Sequence, residues 1–151
     1  MLSIDFVPFL VRAKKNTYAA GMAPTGSSRP GSHDLLYKEE PYLYMDTYLG
    51  GFHFIGEEVV WESGIALWGM NYYGKMVSKD IPKGFGPFLK AALLQVPETR
   101  PFRGSDNFTD GGFVYRCSSE GSLTQFNGEE EIFLDGDLVY RLMFHGGEIK
   151  E

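Results

Sequence analysis

One segment of this chain occurs twice, and a chain that repeats itself is constrained to fold as two like parts that meet. Residues 52–74, FHFIGEEVVWESGIALWGMNYYG, align without a gap and at a constant shift of 72 within residues 123–147. Phe54, Gly56, Glu57, Glu58, Gly64 and Gly74 fall on Phe126, Gly128, Glu129, Glu130, Gly136 and Gly146, while Trp61, Trp68 and Tyr72 fall on Phe133, Tyr140 and Phe144. Average composition gives about one or two identities over such a window, fewer than the six found. The plainer alternative is two hairpins that share turn chemistry, because three of the six identities are glycines. A second echo lies upstream, where FVPFL at 6–10 recurs as FGPFL at 85–89 with a shift of 79, so the second copy has the shorter loop between helix and strands. Each copy reads as one helix followed by a meander of strands. Two such units sharing a core leave a cleft between them, which places the expected binding site at a pseudo-twofold seam.

A chain of 151 residues holds one domain with a substantial core and is short for two. The expectation is a single domain, 1–151, made of halves at about 1–80 and 81–151. The net charge of -6 offers no footprint for a phosphate backbone, so nucleic acid is not expected as a direct partner. Cys117 is the lone cysteine and forms no internal disulfide; with neither a signal-like start nor an apolar run near twenty residues, the sequence reads as soluble and cytoplasmic, away from membranes. Asn107-Phe108-Thr109 matches the glycosylation pattern but reads as a loop tripeptide.

Phe6, Phe9, Leu10 and Ala13 recur at helical spacing, which predicts a helix from about Asp5 to Lys15 with Pro8 in its first turn and Lys14 and Lys15 at the negative end of its dipole. Residues 16–33 read as a long loop. Alternation from Asp34 onward, with turns at Gly50-Gly51 and Glu62-Ser63-Gly64, predicts four antiparallel strands ending near Tyr73. Pro87 suits the first residue of a second helix with apolar positions at 88, 89, 92, 93 and 96, and Pro97 ends it. Strands are then expected at about 113–118, 122–127, 129–134 and 138–145, the last hairpin turning on Asp135-Gly136. The class is α+β, two helices packed on antiparallel sheet.

Side chains alternate along a strand, so one Glu of each Gly-Glu-Glu element, Glu57 or Glu58 and Glu129 or Glu130, can look inward. A carboxylate among rings either binds a cation or holds a raised pKa; the plain alternative is that both pairs are solvated strand starts. Aromatic residues make up 15% of the chain and concentrate in the strands, which suits either ordinary β-packing or a ring-lined pocket. Arg29, His33 and Asp34 stand together in the loop, but adjacent Ser, His and Asp do not make a catalytic triad, and Arg29 and Asp34 better serve to fix the loop. His33, His53 and His145 share no short ligand spacing, so no metal site and no cofactor is expected. Arg103 is a candidate anion partner, with a salt bridge as the plainer role.

The motifs SSRPGSHDL, YLYMDTYLGG, GEEVVW, WGMNYYG, PFRG and FHGG, in this order, resemble a bacterial and archaeal domain family of undetermined function, over nearly the whole chain. Such domains are found alone or C-terminal to a helix-turn-helix of the xenobiotic-response type. This sequence begins at the domain's first helix, without room for a DNA-reading unit, and the resemblance carries over no catalytic residues. The helix-plus-strands plan is also similar in architecture to the effector-binding domains of GyrI-like regulators, whose cleft between two halves takes up amphipathic cations, although those halves usually open with a strand.

Together these observations predict a non-enzymatic domain that binds a small molecule, cationic or aromatic, in an acidic, ring-lined pocket between the halves. Asp46, Glu57, Glu58 and Glu130 would supply charge; Tyr44, Trp61, Trp68, Tyr73, Tyr115 and Tyr140 the walls; Arg103 and His145 further polar contacts. The alternatives are an enzyme using a Glu with His33 or His145 as acid and base, and an interaction module that forms homodimers through an exposed strand edge.

Overall fold

Phe6, Phe9, Leu10 and Ala13 lie on the buried face of helix α1 (Phe6–Lys15) in a computed structural model of residues 1–151. Strands β1 (His33–Glu39), β2 (Tyr42–Gly50), β3 (His53–Glu62) and β4 (Ile65–Met76) follow. Helix α2 (Phe85–Leu93) then leads into β5 (Asn107–Asp110), β6 (Phe113–Ser122), β7 (Gln125–Leu134) and β8 (Asp137–Glu148). The eight strands form one antiparallel sheet in the order β1-β2-β3-β4-β8-β7-β6-β5. Helix α1 packs on β1 and β2, α2 on β5 and β6, and a short 3-10 turn at Tyr18–Ala20 touches both helices. Both helices cover the same face, and a cluster of 27 buried apolar residues runs without a break through both ends of the sheet. The opposite face carries exposed side chains such as Ile55, Tyr73 and Met143, which lie in one cross-strand row. No helix is long and apolar enough to cross a membrane.

The strand registers recur along the chain. Glu58 pairs with Met70 and Glu130 with Leu142, each seventy-two residues on, and the register slips between Val60 and Trp61 and again between Ile132 and Phe133. Tyr37 pairs with Tyr44, and Phe108 with Tyr115, seventy-one residues on. The two middle strands meet with Tyr72 opposite Phe144. The turns agree as well: Ser63 and Gly64 take φ of 49° and 85°, Asp135 and Gly136 49° and 90°, the paired positive angles of a two-residue hairpin.

The structure differs from the sequence expectations in three places. The strands expected at 122–127 and 129–134 are one strand, β7. Gly128 does not break it: a Cβ there would stand 2.3 Å from the Phe144 ring and 2.4 Å from the Ser118 carbonyl, so the glycine makes room for a ring within the sheet. Gly56 faces the Tyr72 ring in the same way. Strand β5 was not expected, because four residues at the sheet edge show too little alternation to signal it. Helix α2 starts at Phe85, two residues before the expected Pro87, and ends at Leu93, short of Pro97. Both Pro8 and Pro87 are thus third in their helices, where a backbone N–H has no intrahelical partner to lose.

Gly128→Ala is expected to destabilise the fold by about 1–3 kcal/mol, since the ring and backbone carbonyl around it must both shift. Gly86→Ala, in α2 with nothing within 4 Å of the new methyl, is expected to stabilise by up to ~1 kcal/mol. Urea unfolding midpoints of the two variants should move in opposite directions; equal behaviour would remove the steric account of Gly128.

Candidate functional site

Because side chains alternate, Glu58 and Glu130 point to the helix-covered face, and both are buried, while Glu57 and Glu129 point out. A buried carboxylate needs hydrogen bonds and a compensating cation. Glu58 accepts from the Tyr44 hydroxyl on the neighbouring strand and, at 2.6 Å, from the Lys14 ammonium of α1. Glu130 accepts from the Tyr115 hydroxyl, from the Tyr140 hydroxyl at 2.8 Å, and from two guanidinium nitrogens of Arg103 at 2.8 and 3.0 Å. Lys14 also donates to the Phe102 carbonyl at 2.9 Å, and Arg103 lies over the Tyr72 ring at 5.5 Å. Burial pushes the Lys14 ammonium below its usual pKa against the pull of Glu58. For Arg103 burial acts the same way, but Glu130 overcomes it and the guanidinium is held well above its usual value. Both tyrosines at Glu130 are pushed well above the usual phenol range by burial and by that carboxylate.

Between the helices and the sheet lies a cavity of about 330 Å³. Its walls are rings from both halves, Tyr44, Phe54, Tyr72, Phe85, Phe102 and Tyr140, and its polar groups are Lys14, Asp46, Glu58 and Arg103. His33, Gly51 and Ile81 border it and are exposed, which marks its mouth. Asp46 is buried, with one oxygen accepting from the Tyr72 hydroxyl at 2.6 Å. Burial first, and then the nearby Glu58 charge, push its carboxyl up to about 7 despite the Tyr72 hydrogen bond.

Of the residues singled out in the sequence, Tyr44, Asp46, Glu58, Arg103, Tyr140 and His33 border this cavity. Tyr115 and Glu130 sit behind Arg103, in the layer that holds it. Trp68 is fully buried, stacked on Phe126 at 5.6 Å with its indole N–H on the Leu123 carbonyl, and belongs to the core. Trp61 is half-buried beside the register slip, away from the cavity. Glu57, Tyr73 and His145 are exposed on the outer face; Glu57 and His145 flank Asn71 there. In the loop, Asp34 accepts from the Ser28 N–H and the Ser32 and Thr47 hydroxyls, and Arg29 donates to Thr47 at 3.0 Å, which latches residues 26–34 to β2. No cluster of three His, Cys, Asp or Glu side chains has the arrangement to hold a metal. Sequence reasoning missed Lys14, Phe54, Tyr72, Phe85 and Phe102 as wall residues. Lys14 carried a signal: it continues the Phe6, Leu10 spacing by one further turn and so falls on the buried face.

Two outcomes test this electrostatic frame. Arg103→Met leaves Glu130 buried without its cation and is expected to cost ~3–5 kcal/mol of stability in urea unfolding. Asp46 keeps its proton to about pH 7 when folded and loses it near pH 3.8 when unfolded, so between these values the folded chain binds the extra proton. Its stabilising contribution is therefore complete below pH 3.8 and is lost as pH rises through 7. Asp46→Asn, which still accepts from Tyr72, should remove that loss: the variant gains thermal stability over the parent at pH 8 and has a smaller advantage at pH 5. A pH-independent difference would contradict the assignment.

A family described as Domain of unknown function (DUF5680) matches residues 46–149. No curated protein and no solved structure matches the chain. With 104 of its 151 residues under that match, running from Asp46 on the cavity wall through the end of β8, the chain belongs to the DUF5680 domain family.

Proposed function

We propose that this domain binds a small amphipathic molecule in the cavity between the helices and the sheet, without transforming it. The observation that carries this is the cavity itself: about 330 Å³, of a size for small ligands, walled mainly by rings, with a few convergent polar groups. An acid–base enzyme has less support. Glu58 is tied to Lys14 and Tyr44, His145 stands on the outer face, and His33, at the cavity mouth, is exposed and lies against the Tyr48 ring at 4.9 Å. The same proposal takes the halves as copies of one helix-plus-meander unit, which the recurring registers, register slips and turn angles support. It also gives a role to the resemblance with regulator-linked domains: a pocket of this kind suits the sensing of a small effector. The likeness to GyrI-like domains stays with the two-half plan, since here each half opens with a helix.

Gly86 borders the cavity and has open space where a side chain would begin, so Gly86→Leu should fill it without disturbing the sheet. In a thermal-shift screen of small aromatic, cationic and anionic molecules, a ligand at one hundred times its Kd should stabilise the parent by about 2.7 kcal/mol, a shift of several degrees. The shift should vanish in Gly86→Leu while that variant remains folded. A screen without shifts, or shifts that persist in the filled variant, would overturn the proposal.

A further inference from the structure

The second half of the molecule shows what the cavity beside Phe54 and Tyr72 lacks. Phe126 and Phe144 in the second half correspond to Phe54 and Tyr72 in the first, and Trp68 to Tyr140, at the shift of seventy-two that relates the strand registers. The ring geometry follows: Phe126 stacks on Trp68 at 5.6 Å and 20°, and Phe54 stacks on Tyr140 at 6.3 Å and 17°. In the second half this group of rings is completed by Phe102, stacked on Phe126 at 3.8 Å and 12° and lying 6.1 Å from Phe144. In the first half no ring takes the corresponding place: Arg103 lies over Tyr72 at 5.5 Å, and the ring neighbours of Phe54 are Tyr72 and Tyr140 alone. The long loop sends Tyr18 against Tyr48 instead, and Phe54 and Tyr72 border the cavity.

A second difference lies beside the first. Asp46 and Tyr72 form a hydrogen-bonded pair on the cavity wall, and the strand registers place Cys117 and Phe144 at the equivalent positions, so both polar members are absent from the second half. The fold therefore builds its Tyr–Glu–cation frame without this pair. Glu58 is neutralised by Lys14 and Glu130 by Arg103, whereas Asp46 has no cation within salt-bridge distance. Its second oxygen takes no hydrogen bond from the protein, and the residue is 6% exposed, on the cavity wall.

Resting on the small-molecule function proposed above, we infer that the ligand is an aromatic ring bearing a protonated amine: the ring lies against Phe54 and Tyr72, in the place that Phe102 takes against Phe126 and Phe144, and the ammonium pairs with Asp46. The ring faces around it favour a cation, and a desolvated pair strengthens their mutual attraction. The groups facing Asp46 are Glu58 of β3, Tyr72 of β4, Lys14 of α1 and Arg103 of the loop after α2, with His33 and Tyr48 also on the cavity wall. Lys14 and Arg103 are held by their own carboxylates, so the added positive charge meets one unmatched acid. Because Asp46 must be ionised to receive the amine, affinity should rise with pH through about 7 and then level.

The test is calorimetric titration of the whole chain with four probes: 2-phenylethylamine, 2-phenylethanol, 2-cyclohexylethylamine and phenylacetate. The amine with the aromatic ring should bind at least about tenfold more tightly than each of the others, and about tenfold more tightly at pH 8 than at pH 6. Asp46→Asn should bring 2-phenylethylamine down to the affinity of 2-phenylethanol and abolish the pH dependence, leaving the alcohol unchanged. Phe54→Leu should weaken 2-phenylethylamine and 2-phenylethanol alike. Equal affinity for the amine and the alcohol in the parent, or an amine affinity untouched by Asp46→Asn, would overturn the ligand assignment while leaving the cavity as a binding site. Failure of all four probes, with other molecules still shifting the parent and not Gly86→Leu, would also overturn it; binding of the probes undiminished in Gly86→Leu would overturn the cavity reading itself.

Discussion

Two carboxylates set into the covered face of a sheet constrain nearly everything else in this molecule. Glu58 and Glu130 occupy like places on β3 and β7, and a buried carboxylate left unpaired costs several kcal/mol. The adjacent strands provide tyrosine hydroxyls, which satisfy lone pairs but carry no charge. The cations must reach in from above the sheet. Lys14 comes from the last turn of α1, and Arg103 from the loop that follows α2. Each then makes a contact with the other end of the chain: Lys14 donates to the Phe102 carbonyl, and Arg103 lies over Tyr72. Apolar burial of Phe6, Phe9, Phe88 and Leu89 holds the helices down; the ion pairs fix which side chains meet beneath them.

This division of labour separates the frame from its contents. Tyrosine, glutamate and a cation recur in both halves, although the cation comes from a different element and is a different residue in each. Side chains that close the second half, Phe102, Cys117 and Phe144, are absent or polar at the corresponding places in the first. A void bordered by Asp46 and Tyr72 therefore costs the protein less than the same void would in an undivided core, because the frame on either side is already satisfied.

Much of the fold was legible because its signals are local. Helical spacing at Phe6 to Ala13, the alternation of β1 to β4 and the Asp135-Gly136 turn each depend on neighbouring residues alone. The site was less legible because its contacts are not local. Lys14 meets Glu58 across 44 positions, and Arg103 meets Glu130 across 27. The Gly-Glu-Glu elements announced that one carboxylate of each pair faces inward, but the partners that neutralise them lie in a helix read for its dipole and in a loop without periodicity. Asp46 stood out only as an acid in an aromatic strand; the absence of a cation beside it is a property of the assembled sheet.

The aromatic excess illustrates the same limit from the other side. In the sequence it reads most plainly as good β-packing, with a ring-lined pocket as the sharper alternative, and in the structure rings both fill the core and wall the cavity through their pairing with glycine. Gly56 clears space for Tyr72, Gly74 for Phe54, and Gly128 for Phe144, so each ring lies down over the strand next to its own instead of standing up from the sheet. A ring laid flat leaves room above it. Over Phe126 and Phe144 that room is filled by Phe102; beside Phe54 and Tyr72, where only the Arg103 guanidinium lies over the Tyr72 ring, it opens into the cavity. Among the repeated glycines, Gly64 and Gly136 do serve turns, whereas Gly56 and Gly74 with Gly128 and Gly146 give the sheet a recess in each half, and the loop that follows each helix decides whether the recess is plugged or open.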